Sequence, residues 1–137
     1  MAGYSETPLL RKIGVRDEHV VLLDRAPDGF ELGETGARVV RRLPVPATRL
    51  DVTLTFHTRR RELTARLPVL FERTETAGMV WVCWPKKAAQ RAQGIASDLD
   101  EDVVRGLALD AGWVDVKVAA VDETWSGLKL VRRKENR

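Results

Sequence analysis

The chain has 137 residues, 44% of them hydrophobic and 31% charged, which fits one globular domain with a single core and excludes general disorder. Its 23 lysines and arginines stand against 20 acids, so the net charge of +3 is too small to point to a polyanionic partner. One cysteine, Cys83, excludes an internal disulfide, no window holds the roughly 18 apolar residues of a membrane span, and MAGYSETPLL lacks a signal-peptide run; a cytoplasmic protein is expected.

Residues 1–15 read as a short helix docked on the core, with Thr7 as its cap, Pro8 at its first position, Leu9, Leu10 and Ile13 at helical spacing, and Gly14 as its stop. HVVLLD, residues 19–24, packs four apolar residues in succession, as a strand buried on both faces does. RAPDGFELGETG then breaks the chain, and Ala37 to Leu43 reads as a short second strand before the linker VPATR. LDVTLTFH, Leu50 to His57, alternates and is rich in β-branched residues, the pattern of a third strand. From Thr58 a helix is predicted through RRRELTARLPVLFERTE, with Leu63, Leu67, Leu70 and Phe71 as its apolar stripe and a kink or break at Pro68.

Ala77-Gly78 marks the end of that segment, and Met79 to Trp84 is a fourth strand followed by a polar loop. SDLDEDVVRGLALDAG carries the strongest helix signal: Asp98 and Glu101 form a capping box, acids crowd the first turn, and Gly112 closes the end. Trp113 is expected to cover a helix end. Val114 to Asp122 and Gly127 to Arg133 are a fifth and a sixth strand, and the basic tail 134–137 is expected to fray. The last two strands are joined only by ETWS, too short for a parallel crossover, so they form an antiparallel hairpin. A single three-layer, Rossmann-like α/β domain over residues 1–137 follows. By analogy with a reduced class I methyltransferase, its mostly parallel six-stranded sheet takes the order 2-1-3-4-6-5 with strand 6 antiparallel.

Ligands of open α/β sheets bind beyond the carboxyl ends of the parallel strands. Asp24 and Arg25, His57 with Arg59, Arg60 and Arg61, Trp84 with Lys86 and Lys87, and Asp122, Glu123 and Trp125 all fall at such ends, and Ser126 and Lys129 are placed at the same edge. Three arginines at a helix start oppose the helix dipole by roughly 0.3–1 kcal/mol each, which a bound anion between them and Lys86 and Lys87 would explain and a solvated basic rim would explain as well. Trp84 and Trp125 either form an aromatic floor for a ligand or pack on each other, while Trp81, on the side of Cys83, belongs to the core.

Two histidines and one cysteine supply no plausible metal set, and Cys83 inside an apolar strand reads as inert. No G-x-S-x-G elbow supports a triad of Ser126, His57 and an acid. After the first strand LLDRAPDGF offers Gly29 alone, so the glycine-rich loop that lets backbone approach a nucleotide is missing.

YSETPLLRKIG, WPKK at Trp84 to Lys87, DLDEDVVR at Asp98 to Arg105 and VDVKVAAVDETWSGLKLVRRK at Val114 to Lys134 together resemble a bacterial family, largely actinobacterial, catalogued as domain of unknown function 3052. The resemblance implies a methyltransferase-related Rossmann-like fold and no assigned activity. Trp84, Pro85, Lys86 and Lys87 match its motif at strand 4, and Trp125 to Lys129 its motif at the hairpin, whereas the loop 88–97 is longer than its pattern.

The leading expectation is a non-catalytic ligand-binding or regulatory domain that holds an anionic small molecule or an acidic partner segment at Asp24, His57, Arg59, Trp84, Lys86, Lys87, Trp125, Ser126 and Lys129. The alternatives are a transferase that binds S-adenosylmethionine through an altered loop, with Asp24 on the cofactor and Asp122 or His57 as base, and a weak nucleic-acid binder through scattered arginines. Self-association through an edge strand is left open.

Overall fold

The computed structural model describes residues 8–137, so Thr7 and the start of the N-terminal segment lie outside the described residues. One six-stranded sheet runs in the order β2-β1-β3-β4-β6-β5, built from β1 (Val20–Asp24), β2 (Arg38–Val40), β3 (Leu50–Phe56), β4 (Thr74–Pro85), β5 (Trp113–Ala120) and β6 (Trp125–Arg132). β1 pairs in parallel with β2 and β3, and β3 with β4, while β6 is antiparallel to both β4 and β5. This is the order expected by analogy with a class I methyltransferase, and β5 and β6 form the antiparallel hairpin that their short connection requires.

The sheet is buried on two faces. Against one lie α2 (Arg60–Arg73) and α4 (Glu101–Asp110), whose Leu63, Leu67, Phe71, Val104 and Ala108 pack on Val80, Val82, Trp84, Leu128 and Leu130. Against the other lie α1 (Leu9–Ile13) and the irregular segment 25–37, which supply Ile13, Phe30 and Leu32 to a core with Val21, Leu23, Val52, Leu54, Phe56, Trp81 and Cys83. The third layer is therefore thin, one short helix and a folded strap.

Several expected boundaries are corrected. α2 runs unbroken through Pro68. Full burial of Leu63, Leu67, Leu70 and Phe71, worth about 1.5–3 kcal/mol each, outweighs the roughly 3 kcal/mol that a proline inside a helix costs. β4 begins directly after α2 at Thr74 and passes through Ala77-Gly78, which occupy a register irregularity opposite Leu50 and Val52 rather than a loop. The segment after β4 contains a helix not expected from its polar composition, α3 (Lys87–Gln93), closed by Gly94 at φ 68°. Trp113 opens β5, with its ring stacked on Phe71 at 4.0 Å and the Arg132 guanidinium 4.8 Å from the ring centroid. The tail makes a 3-10 turn, Lys134–Asn136, and Asn136 Nδ2 donates to Gly112 O at 2.9 Å.

α4 is capped by Asp100, whose carboxylate accepts from Val103 N at 2.9 Å, and not by Asp98. Asp98 instead accepts from Arg60 N at 2.6 Å, so it caps α2 from a distant part of the chain.

Candidate functional site

The alternation of β3 turns Thr53, Thr55 and His57 toward α2, and all three are buried. Beside them Asp24, the last residue of β1, is 4% exposed. Arg66 reaches down from α2 and grips it bidentately, Nη2 to Oδ1 at 2.7 Å and Nε to Oδ2 at 3.0 Å. Thr55 Oγ1 donates to Asp24 Oδ2 at 2.7 Å and lies 2.7 Å from His57 Nε2. A hydroxyl has one proton, and here it goes to the carboxylate, so Nε2 of His57 must carry the hydrogen that points at Thr55. Nδ1 is then a bare acceptor, buried and without a hydrogen-bond partner.

Electrostatics agree with that assignment. Burial lowers the His57 pKa to about 4, with the Arg25 and Arg66 cations adding to the fall and Asp24 opposing it, so the ring is neutral near pH 7. Burial raises the Asp24 pKa, but the bonds from Arg66 and Thr55 win and hold it below the usual carboxylate value. Asp24 is thus committed within the fold. Burial pushes the Cys83 thiol up, which removes its nucleophilic form near neutrality.

A cleft of about 520 Å³ opens between the residue after β1 and the outer side of α2, lined by Arg25, Arg61, Glu62, Ala65, Arg66 and Val69. Arg25 enters it from a left-handed backbone, φ 57°, which a non-glycine residue holds only where its surroundings enforce it. Its guanidinium meets Glu62 at 3.5 Å with both side chains about half exposed, a contact of small energetic weight. Among the described residues Arg59, Arg60 and Arg61 form no ion pair.

The expected site residues divide. Asp24 and His57 come together, and Arg59 stands at the N-cap of α2 nearby. Lys86 precedes α3, its backbone N donating to Thr124 O at 2.8 Å, and Lys87 lines a separate cleft of about 260 Å³ with Asp98 and Asp100. Asp98 therefore stands where an anion between the α2 start and the two lysines was expected. Trp84 is buried under α2 and α4, whereas Trp125 lies on the opposite face, edge-on to Phe56 at 5.2 Å. They form neither a shared floor nor a mutual contact, because Trp84 pairs across the ladder with Ser126 and Trp125 with Pro85. Lys129 pairs with Trp81 in the middle of β6, about 10 Å along the strand from Ser126, and is not at the carboxyl edge. Asp122 accepts from Thr124 N and Trp125 N, both at 2.8 Å, and so shapes the hairpin turn.

Leaving β1, the chain lies down on the sheet. Phe30 packs on Phe56 with ring centroids 4.9 Å apart, Leu32 is buried beside it, and Arg41 holds the Phe30 carbonyl. No helix starts between residues 25 and 37, so β1 leads into no helix N-terminus. Arg66 and Thr55 were missed as site residues. The alternating Thr53, Thr55 and His57 were visible in LDVTLTFH, but nothing local ties Arg66 to an acid in another strand.

This arrangement defines an α/β protein with a methyltransferase-like sheet. No protein-family model matches the chain, and no curated protein does. Among solved structures, LepI in complex with SAM matches 91% of this chain and 39% of its own at 12% identity with a TM-score of 0.57. An O-methyltransferase from neocarzinostatin biosynthesis, in complex with S-adenosylmethionine, matches 71% of this chain and 34% of its own at 15% identity and 0.54. A magnesium protoporphyrin IX methyltransferase from Synechocystis with bound SAH matches 62% of this chain and 46% of its own at 15% identity and 0.49. The chain spans less than half the length of each. Among the described residues no helix is long and apolar enough to cross a membrane, and no group of three or more His, Cys, Asp or Glu side chains is placed to hold a metal ion.

Proposed function

We propose that this protein is a binding module on a methyltransferase-like scaffold, which holds an anionic small molecule in the Arg25–Arg61–Arg66 cleft and carries out no transfer reaction. The observation that carries the reading is the cleft: its volume of about 520 Å³ suits a small molecule, and of its arginines Arg25 meets only a half-exposed Glu62 at 3.5 Å while Arg61 has no ion pair among the described residues. A phosphate or carboxylate would displace Glu62 and take bidentate bonds from Arg25 and Arg61. The resemblance to the domain of unknown function 3052 family belongs to this proposal and agrees with its lack of an assigned reaction.

The test is the heat-denaturation midpoint with pyrophosphate, nucleoside phosphates, acyl-coenzyme A and dicarboxylates. A rise with one class, lost in Arg25→Ala with Arg61→Ala while the variant still unfolds cooperatively, is the expected result. A panel in which no anion raises the midpoint overturns the reading. The second reading, a transferase with an altered cofactor loop, is favoured by one observation, that two solved structures of similar fold, LepI and the neocarzinostatin O-methyltransferase, are in complex with SAM.

A further inference from the structure

The half of the sheet formed by β5 and β6 is packed under a helix along one side, and on the other is met by a helix only at Lys12 of α1. α4 covers the face that holds Leu128 and Leu130. On the other side α1 touches β5 at Ala120 and Lys117 through Lys12 and lies over Trp81, whose Nε1 donates to Ile13 O at 3.0 Å. Beyond that point Lys129 and Val131 of β6 stand beside Lys117 and Val114 of β5.

Lys117 and Lys129 are direct cross-strand partners on this face, and like charges in that position repel. Lys12 joins them from α1, with Lys12 Nζ donating to Ala120 O at 3.0 Å and Lys117 Nζ to Lys12 O at 3.3 Å. Among the described residues none of the three lysines forms an ion pair. Burial and the Lys117 charge hold the Lys129 ammonium below its usual pKa, the mark of a cation without compensation. Next to it runs a groove of about 470 Å³ with Val114, Val116 and Val131 along it and Arg133, Lys134 and Arg137 around it, where Glu135 is the acid. Val116 is 54% exposed.

We propose that this face is the docking surface for an extended segment of a partner protein in which acidic and apolar residues alternate. Acidic side chains would relieve the lysine repulsion, and apolar ones would cover the valines. A second copy of this chain is a poor occupant because it brings the same cations. The occupant lies across the face and does not add a strand, because β5 is bulged between Asp115 and Lys117 and bulged edges resist pairing.

The probe is a fluorescein-labelled decapeptide of alternating glutamate and leucine, with the lysine–leucine decapeptide as control, titrated into the ¹⁵N-labelled protein. Binding of the acidic peptide alone, with amide shifts in residues 114–118 and 128–132, is expected. Lys129→Glu should weaken it about tenfold and raise the melting temperature, since a carboxylate then faces Lys117. Lys129→Gln, which removes the charge without adding one, keeps the test open if the first variant folds poorly. Unchanged affinity in a folded variant overturns the proposal. So do shifts confined to the Arg25 and Arg61 cleft, which would move the peptide to the other site, and sedimentation with phosphatidylserine vesicles in the absence of peptide binding, which would make the face a lipid surface.

Discussion

At the scale of single residues, the Asp24, Thr55, His57 and Arg66 network sets how the fold responds to acid. Unfolded, His57 takes a proton at the usual 6.5; folded, it resists until about 4. Between those values the unfolded state binds more protons, so stability rises with pH across that window, is complete above it and is lost as pH falls toward 4. The full shift corresponds to about 3 kcal/mol. Asp24 acts in the same direction at lower pH, because its folded carboxyl titrates below the usual value and its contribution disappears as pH falls through the folded one. Denaturant unfolding at a series of pH values should therefore show a slope between pH 4 and 6.5 that His57→Gln abolishes. A slope that survives in the variant would assign the acid sensitivity to other groups. Gly127 shows the opposite kind of legibility. It lies in the hairpin stretch WSGLK, and its role is packing, since a Cβ there would come to 3.0 Å from the Trp81 ring and from Val121.

At the scale of elements, the strands and the final hairpin were readable because each strand carries its own period and each connection its own length, whereas the order of the sheet rested on analogy. β2 ends at Val40, where pairing with β1 stops, and not at Leu43, because Arg41 and Arg42 carry the chain off the ladder while Leu43 prolongs the apolar signal. α3 was unreadable because KKAAQRAQ has no apolar stripe; only Ala89 of it is buried. The α4 cap was misread by two residues because SDLDED offers acids at both positions, and which one closes which helix is decided by tertiary contact. Asp98 faces the start of α2, where its charge also offsets the arginines against the helix dipole. Asp98→Ala should cost about 1 kcal/mol by loss of the cap, and Asp100→Ala a similar amount through α4. Hydrogen exchange separates them: protection should fall in residues 60–64 for the first variant and in 101–105 for the second. Loss confined to α4 in both would return Asp98 to the role its sequence position suggested.

At the scale of the whole molecule, the sheet and the cofactor edge make opposite statements. The fold is similar to that of solved structures in complex with SAM, but the strap after β1 places Phe30 and Leu32 in the core where an open loop would have to stand. Phe30 is 8% exposed, and removing such a ring from a core costs about 3–5 kcal/mol, which a ligand entering there would have to offset. Asp24 is equally committed, since freeing it to meet a ligand would leave the Arg66 charge partly buried and unpaired. Both arguments predict that S-adenosylmethionine at millimolar concentration leaves the melting temperature unchanged. The prediction is sharp because a cofactor at about 100 times its dissociation constant would add roughly 2.7 kcal/mol, or about 10 °C for a domain of this size. A shift of that order would mean that the strap lifts off the sheet on binding. Phe30 would then become accessible, and its tertiary contact with Phe56 would be lost in the complex.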